Sequence, residues 1–172
     1  MSSAAISRPP RLATCPGLQP QPPRGRWILR GGAAVHAAAG TVCGWPLPPQ
    51  GRAAGEHAHA ALWLGPDEFL LLDPPQLPAL RAALATLPHS LVDVSQRQTA
   101  FTVSGAATRA LNAGCPLDLD VEIFTVGACT RTVFGKSEIV LWRIAADIFH
   151  VEVWRSFAMY VTQLLEQAAS EV

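Results

Sequence analysis

Residues 128–154, which read ACTRTVFGKSEIVLWRIAADIFHVEVW, contain three apolar runs separated by turn-sized gaps. The runs Ala128–Phe134, Ile139–Ile144 and Ile148–Trp154 are rich in β-branched and aromatic residues, which favour strands. Because each gap is only a few residues long, neighbouring strands must run in opposite directions. This stretch therefore predicts an antiparallel meander, and it makes an antiparallel sheet the framework of the fold.

The last of the three runs alternates apolar and polar residues. Phe149, Val151 and Val153 would point to one face of a strand, and His150 and Glu152 to the other. Antiparallel sheets commonly pack one face on the core and leave the other solvated. We therefore expect helices over one face of the sheet and at least partial exposure of the other face to water.

The segment after the meander has the apolar spacing of a helix. Ser156 is a residue type that favours the N-cap position. The apolar stripe that follows recurs at intervals of three and four residues. Its members are Phe157, Tyr160, Val161, Leu164, Leu165 and Ala168. The sequence thus predicts a C-terminal helix that packs on the sheet.

Between residues 60 and 114 the sequence predicts two strands, a helix, two more strands and a second helix. In order, these elements are Ala60–Leu64, Phe69–Leu72, Leu77–Leu87, Leu91–Val94, Phe101–Val103 and a short helix capped by Ser104 and ended by Gly114. Turn residues join the first two strands, and prolines lie at the start and just past the end of the first helix. Residues 31–60 are dominated by Gly, Ala and Pro, and their periodicity is too weak to assign.

Together these elements predict an α+β fold, a mostly antiparallel sheet with helices packed on one face and of ferredoxin-like character. Residues 26–172 are expected to form a single domain, because a chain of 172 residues can bury a sizeable core without disulfides or a structural metal. Residues 1–25 contain six prolines, which remove amide donors and favour extended backbone. We expect this segment to form a basic, extended arm.

Charge is unevenly distributed along the chain, although its formal sum is zero. Residues 1–55 carry six arginines and no acidic residue, whereas the remainder carries seven basic and thirteen acidic residues. Two interpretations are open. The basic segment docks on an acidic groove of a larger partner, or Arg24, Arg26 and Arg30 fold back onto the acidic part of the same chain. The segment lacks interleaved aromatic residues and lysine clusters, so we expect no nucleic-acid binding.

Composition also bears on the cellular compartment. No apolar run approaches the roughly 20 residues that cross a bilayer, and the Pro-rich first 25 residues do not resemble a secretory signal. The four cysteines, Cys15, Cys43, Cys115 and Cys129, are widely spaced and form no C-x-x-C pair, which favours reduced thiols. We expect a cytoplasmic protein with no membrane association.

The sequence Gly135-Lys136-Ser137 imitates the end of a phosphate-binding loop without completing it. The first glycine of that motif would fall at residue 130, which is Thr130. The three residues also lie between two predicted strands, so no helix N-terminus is available to hold a phosphate. We favour a tight hairpin turn.

His57 and His59 are the residues whose spacing permits a metal site, because they would share a face in a strand and have Glu56 nearby. A metal site of this kind needs three or four converging ligands, however, and neither a second His pair nor a Cys pair stands nearby in sequence. We favour a solvated loop at this position.

Asp93 interrupts the apolar run Leu91–Val94, where a buried carboxylate would be costly without a partner. We expect it to accept local backbone amides at the turn that begins with Ser95. No G-x-S-x-G elbow or supported Cys–His pair marks a nucleophile. The residues by themselves thus indicate no catalytic, cofactor-binding or metal-binding residue in this chain.

Seven blocks of sequence, in a consistent order and at consistent spacing, resemble the family of sarcosine oxidase gamma subunits. The blocks are Trp63–Glu68, Leu91–Thr99, Val103–Gly105, Ala113–Leu119, Cys129–Thr132, Glu138–Arg143 and Val151–Phe157. More distantly, Asp93–Ser95 followed by Val103–Gly105 and a helix resembles the folate-binding aminomethyltransferase family. This second resemblance implies a fold like part of the aminomethyltransferase folate-binding domain. The acidic residue and loops that those transferases use on tetrahydrofolate have no counterpart in this chain.

The resemblance implies a non-catalytic gamma subunit of a heterotetramer whose alpha, beta and delta subunits are its partners. Such a complex acts in sarcosine catabolism and one-carbon metabolism. It oxidatively demethylates sarcosine to glycine, with oxygen as acceptor, and yields H2O2 and formaldehyde or 5,10-methylenetetrahydrofolate. The other subunits hold FAD, FMN, NAD and tetrahydrofolate, so the resemblance implies no cofactor in this chain. Two alternatives stay open: a stand-alone folate-dependent one-carbon transferase, and a free-standing ligand-binding or folate-binding module.

Overall fold

The strands of the protein form two antiparallel sheets. The computed structural model describes residues 17–105 and 107–170, which contain ten strands and four α-helices. The strands are β1 Leu18–Pro20, β2 Arg26–Gly31, β3 Ala53–Glu56, β4 His59–Gly65, β5 Glu68–Leu72, β6 His89–Asp93, β7 Gln98–Ser104, β8 Cys129–Phe134, β9 Ser137–Ala145 and β10 Ile148–Trp154. The helices are α1 Ala33–Cys43, α2 Leu77–Leu84, α3 Ala107–Gly114 and α4 Ala158–Ser170.

Sheet I has the strand order β3-β4-β5-β2-β6, and sheet II has the order β1-β7-β10-β9-β8. All pairings between these strands are antiparallel. The predicted α+β class and its antiparallel character are confirmed, but the structure has two sheets where the sequence predicts one. Strand β2 pairs with both β5 and β6 and joins them into a sheet of their own, and the sequence predicts no strand at β2 or β3.

The two sheets pack face to face, and each carries two helices on its outer face. Helices α1 and α2 cover sheet I over a core that includes Leu29, Val35, Leu71, Leu80 and Leu84. Helices α3 and α4 cover sheet II over a core that includes Phe101, Leu111, Phe149, Val151 and Leu165. A third core joins the inner faces and includes Leu62, Leu70, Val140 and Trp142. The layers are therefore helices, sheet I, sheet II and helices.

This layering changes the environment of β10. Phe149, Val151 and Val153 face α3 and α4, as the alternation predicts. His150 and Glu152 face sheet I, and both are completely buried. The prediction of a wet face is wrong for these two residues, because a second sheet covers the face that was assigned to water.

The elements predicted between residues 60 and 154 are confirmed with small shifts at their ends. Helix α2 ends at Leu84, three residues before the predicted end. In the β8–β9 turn, Gly135 has a φ of +58°, a conformation that favours glycine. The amide of Lys136 donates to the hydroxyl of Tyr160 at 3.1 Å. Gly135-Lys136-Ser137 is thus part of a hairpin, as predicted.

The two predicted N-caps differ from the structure. Ser156 lies inside a 3-10 turn, Arg155–Phe157, and α4 begins only at Ala158. Ser104 is the last residue of β7, and its hydroxyl donates to the carbonyl of Gly17 at 3.4 Å. The 3-10 turn has about three residues per turn rather than 3.6, so it rotates the helix relative to the predicted stripe.

The rotation changes which residues of α4 face the core. Its buried residues are Ala158, Val161, Thr162 and Leu165. Phe157 and Tyr160, two members of the predicted stripe, are 43% and 38% exposed. The helix packs on sheet II as predicted. Of the predicted stripe, however, Val161 and Leu165 are buried, whereas Phe157 and Tyr160 are exposed.

Residues 17–25 join the folded part of the chain through β1. Leu18 lies opposite Val103 of β7 and is buried. Arg24, Arg26 and Arg30 form ion pairs with Asp73, Glu152 and Asp67 of the same chain, respectively. Of the two interpretations of the basic segment, the structure shows the fold-back for these three arginines. Residues 1–16, most of the predicted arm, lie outside the described residues. No helix in the described ranges is long and apolar enough to cross a membrane.

Candidate functional site

A network of charged and polar side chains connects the two sheets through the buried inner layer. Arg26 on β2 donates from Nε to Glu152 Oε2 on β10 at 2.6 Å. His150, two residues earlier on β10, lies with Nε2 at 2.9 Å from Glu152 Oε1. Arg26 is 1% exposed, and His150 and Glu152 are completely buried. Both oxygens of the carboxylate are thus occupied by partners from the two sheets.

His57 extends this network toward the surface. It lies in the turn between β3 and β4, and its Nε2 is 3.1 Å from His150 Nδ1. A neutral imidazole has one donor and one acceptor nitrogen. If Nε2 of a neutral His150 donates to Glu152, its Nδ1 accepts a hydrogen bond from Nε2 of His57. Hydrogen bonds therefore link His57 to Glu152 through the ring of His150.

The electrostatics of the network favour an ionised carboxylate. Burial by itself would raise the pKa of Glu152, but the hydrogen bond from His150 and the charge of Arg26 outweigh it and hold the pKa below its ordinary value. For His57, burial is the largest cause and the neighbouring His150 and Arg24 add to it, so the pKa lies below its ordinary value. The network thus combines a charged Arg26–Glu152 pair with a His57 that resists protonation.

His57 and His59, whose spacing would permit a metal site, point to different partners. His59 Nδ1 contacts the backbone carbonyl of Asp73 at 2.6 Å, whereas His57 turns inward to His150. In the described ranges no group of three or more His, Cys, Asp or Glu side chains could hold a metal ion. The prediction of a solvated loop is nevertheless incomplete, because His57 is partly buried and hydrogen-bonded.

Asp93 makes the local contacts that the sequence predicts. Its Oδ1 accepts hydrogen bonds from the amide of Ser95 at 2.9 Å and from the hydroxyl of Ser95 at 2.6 Å. The same hydroxyl oxygen lies 2.9 Å from the amide of Arg26, which donates to it. Ser95 is therefore engaged in holding β2 beside the end of β6 and is not presented as a nucleophile.

The cysteines of the described part of the chain are buried and are not presented as nucleophiles. Cys43, Cys115 and Cys129 are free and buried. Burial is the largest influence on Cys129 and raises the pKa of its thiol, despite a contact of Sγ with the carbonyl of Trp63 at 3.9 Å. Burial likewise raises the pKa of Cys43. A thiol attacks as the thiolate, so a raised pKa disfavours catalysis. Cys15 lies outside the described residues.

At the other end of β2 the space between the sheets opens to solvent as a groove of about 410 Å³, which we call the edge groove. Its lining residues are Ile28, Arg30, Glu68, Ser90, Val92, Val94, Arg97, Arg131, Glu138 and Trp154. Arg131 of sheet II reaches across it to Glu68 of sheet I, with Nη2 2.6 Å from Oε1. Val92 and Trp154 are 50% and 40% exposed. The groove is thus accessible, partly apolar and edged with arginines.

Two other hollows lie outside the inner layer, beside His36 and beside Arg143. The first, about 580 Å³, lies between α1 and residues 45–48. The second is about 370 Å³, and its Arg143 donates to the carbonyls of Leu119 and Ala146. The guanidinium carbon of Arg143 lies 4.4 Å from the centroid of the Phe149 ring. Arg143 therefore serves to hold the neighbouring loops together.

Sequence reasoning missed the buried network completely. Its signal was present in β10, where His150 and Glu152 occupy successive positions of one face in the middle of an apolar strand. If that face is buried, the carboxylate of Glu152 needs a cationic partner, and the arginines within residues 24–30 are candidates for it. Such an alternation predicts a wet face, because no local pattern in the sequence indicates the second sheet.

Comparisons with known proteins agree with the resemblance of the sequence blocks. The model of the sarcosine oxidase gamma subunit family matches residues 30–171. The chain is 34% identical over 146 residues to the sarcosine oxidase subunit gamma of Corynebacterium sp. (strain U-96), covering 81% of this chain and 71% of that one.

Solved structures give the same result. A chain of the heterotetrameric sarcosine oxidase from Corynebacterium sp. U-96, in complex with pyrrole 2-carboxylate, superposes with a TM-score of 0.84 and 32% identity, covering 90% of this chain and 83% of that chain. The glycine cleavage system aminomethyltransferase T from Bartonella henselae superposes with a TM-score of 0.60 and 15% identity, covering 87% of this chain and 45% of that one. The second likeness shows a shared fold, as the distant resemblance implies. The family match and the identity to named gamma subunits show that this chain belongs to the sarcosine oxidase gamma subunit family.

Proposed function

We propose that the chain is the non-catalytic gamma subunit of a heterotetrameric sarcosine oxidase, with alpha, beta and delta subunits as partners. The observation that carries this proposal is the superposition on a chain of a heterotetrameric sarcosine oxidase with a TM-score of 0.84 over 90% of the residues. A similarity that extends over nearly the whole domain supports the same place in an assembly of the same kind.

The proposed reaction belongs to the assembly. Sarcosine loses a hydride from its N-methyl group and a proton from its nitrogen, and oxygen accepts these two electrons and two protons to form H2O2. Water then releases glycine and formaldehyde, or tetrahydrofolate takes the carbon as 5,10-methylenetetrahydrofolate. FAD, FMN, NAD and tetrahydrofolate are assigned to the other subunits. The assembly is proposed to be cytoplasmic, which the free thiols of Cys43, Cys115 and Cys129 support.

The geometry of the buried network supports a structural role for this chain. Its Arg26, His150 and Glu152 have the residue types of a catalytic constellation, but their burial prevents contact with a substrate. The ion pair is neutral in sum, and both carboxylate oxygens already have partners. In some proteins, buried polar or ionic groups specify which surfaces pack together. We infer that the network sets how sheet I packs on sheet II.

Co-expression with a tagged large subunit tests the proposal. We expect this chain to co-purify with the other subunits, and we expect the purified assembly to consume oxygen when sarcosine is added. The isolated chain should show neither a flavin absorption spectrum nor sarcosine-dependent oxygen uptake. Flavin bound to the isolated chain, or a large subunit that purifies without it, would contradict the proposal.

A folate-dependent role is the second candidate, because the chain shares its fold with an aminomethyltransferase. The chain corresponds to only 45% of that protein, which leaves more than half of the transferase without a counterpart. Titration of the isolated chain with tetrahydrofolate separates the candidates. Saturable binding at micromolar concentration would favour the transferase or folate-binding module, and its absence would favour the accessory subunit.

A further inference from the structure

Strand β6 is an exposed edge of sheet I. It pairs with β2 on one side, and no other described strand pairs with it. Four of its five residues, His89, Ser90, Val92 and Asp93, are exposed, and Leu91 is half-buried. The strand contains neither proline nor lysine, which are devices that proteins commonly use to block a free edge. Such an edge is a template on which another strand can pair.

The register identifies which backbone groups are free. The amide of Val94 donates to the carbonyl of Arg26 at 2.8 Å, so this opposed pair is hydrogen-bonded. Opposed pairs alternate along an antiparallel ladder, and the pairs Val92–Ile28 and Ser90–Arg30 continue the hydrogen-bonded set. The amides and carbonyls of Leu91 and Asp93 therefore point away from β2, toward the open side.

The edge groove adjoins the same strand. Ser90, Val92 and Val94 line it from sheet I, and Trp154 lines it from sheet II. The groove contains three arginines and two glutamates. Arg30 and Arg131 both contact Glu68, and Arg131 also approaches Glu138. Arg97 instead stacks on Trp154, with its guanidinium carbon 5.2 Å from the ring centroid, and no ion pair of its side chain occurs within the described ranges.

These observations indicate one kind of occupant. We propose that β6 and the edge groove receive an extended segment of another subunit, which adds a strand to sheet I, places an apolar side chain between Val92 and Trp154, and brings a carboxylate to Arg97. Strand addition uses backbone hydrogen bonds for affinity and side-chain pockets for specificity. Trp and Arg are also the residue types that contribute most at protein interfaces. The inference rests on the proposed function, because it presumes partner subunits.

A second copy of this chain fits the groove less well. Pairing of β6 with β6 of another copy would place two edge grooves beside each other, and each of them has three arginines and only two glutamates. Like charges placed opposite each other across a sheet or an interface destabilise the contact. The unmatched charge of Arg97 therefore favours a different chain that carries carboxylates.

Amide hydrogen exchange tests the backbone part of the proposal. In the assembly co-purified with its partner subunits, the amides of Leu91 and Asp93 should exchange at least about tenfold more slowly than in the isolated chain, because they acquire acceptors. The amide of Val92 is an internal control, since it already points toward β2 in the isolated chain. Unchanged exchange at Leu91 and Asp93 in an assembly that does form would overturn the inference and leave the proposed function intact.

Charge reversal tests the side-chain part. Arg97→Glu should weaken association with the partner subunits about tenfold or more, as for a residue that contributes strongly to an interface. Arg81→Glu is the matched control, because exposed Arg81 stacks on Trp27 at 4.9 Å from the ring centroid, away from the groove. Arg97→Lys should retain most of the affinity, since it keeps the charge. Equal affinities for the Arg97→Glu and Arg81→Glu variants would overturn the inference.

Two other results would also be decisive. Concentration-dependent protection of Leu91 and Asp93 in the isolated chain, together with the mass of a dimer, would assign the edge to a second copy and reject a different subunit. A failure of this chain to associate with any oxidase subunit would reject both the inference and the proposed function.

Discussion

Arg26 and Arg30 lie on the same face of the same strand, yet their environments are opposite. Arg26 is 1% exposed and pairs with a completely buried Glu152 at 2.6 Å. The side chain of Arg30 is 54% exposed and pairs with an equally exposed Asp67 at 3.2 Å. The two arginines are only four residues apart on β2, so the difference arises from what covers them. At Arg26 the sheets meet, and at Arg30 they separate to form the edge groove.

The comparison shows how position decides what an ion pair contributes. A buried charge that loses its partner has no water to replace it, whereas an exposed one is solvated at once. The buried pair should therefore determine the packing of the two sheets. The exposed pair leaves its groups available to a partner protein.

The largest expected effect is from Glu152→Ala. This change leaves Arg26 buried without its carboxylate, and removal of one partner of a buried ion pair costs about 3–5 kcal/mol. Urea unfolding, followed by tryptophan fluorescence, measures the loss. A decrease below about 1 kcal/mol, the range of exposed pairs, would show that water reaches Arg26 and would break the comparison.

Replacement of the whole pair sharpens the result. The double variant Arg26→Met/Glu152→Leu removes both charges and should be more stable than Glu152→Ala, because no unpaired charge remains. It should still be about 1–3 kcal/mol less stable than the parent chain, since His150 loses its acceptor. Unfolding midpoints of the three proteins test this order. A double variant no more stable than Glu152→Ala would mean that the loss does not come from the buried charge.

Acidification tests the outer end of the network. The pKa of His57 in the folded chain lies below its ordinary value of 6.5, so the unfolded chain binds this proton more readily. The contribution of neutral His57 to the free energy of unfolding should therefore be fully present above pH 6.5. It should be lost as the pH falls from there through the lowered pKa. His57→Gln should remove this pH-dependent loss. Unfolding curves between pH 8 and 5 provide the measurement, and identical pH profiles of the two proteins would contradict it.

The smallest effect is expected from Asp67→Ala, which removes the nearer of the two carboxylates that pair with Arg30. Both side chains are 54% exposed, and exposed pairs contribute about 0–1 kcal/mol. The same unfolding assay, run with and without 1 M salt, should show a loss within this range. A loss comparable to that of Glu152→Ala would erase the distinction between the two arginines.

The local elements of this protein could be predicted from sequence wherever the periodicity was strong. Strands β4, β5, β8, β9 and β10 follow from their apolar runs, and the Gly135 turn follows from its position between two of them. Strand β3 and helix α1 could not be predicted, because residues 31–60 are rich in Gly, Ala and Pro and give no clear period of two or of 3.6 residues. No element was predicted at β2, whose apolar run, Trp27–Leu29, is only three residues long. The local role of Asp93 was also predictable, since its partner Ser95 is two residues away.

The sequence by itself therefore determined the α+β class, the antiparallel strands and, through seven ordered blocks, the family. Only the tertiary structure decided that there are two sheets, that His150 and Glu152 are buried rather than wet, and that Arg26 is the partner of Glu152. The physical reason is distance along the chain. Arg26 and Glu152 are separated by 126 residues, and no local pattern records a contact that exists only because two sheets pack face to face.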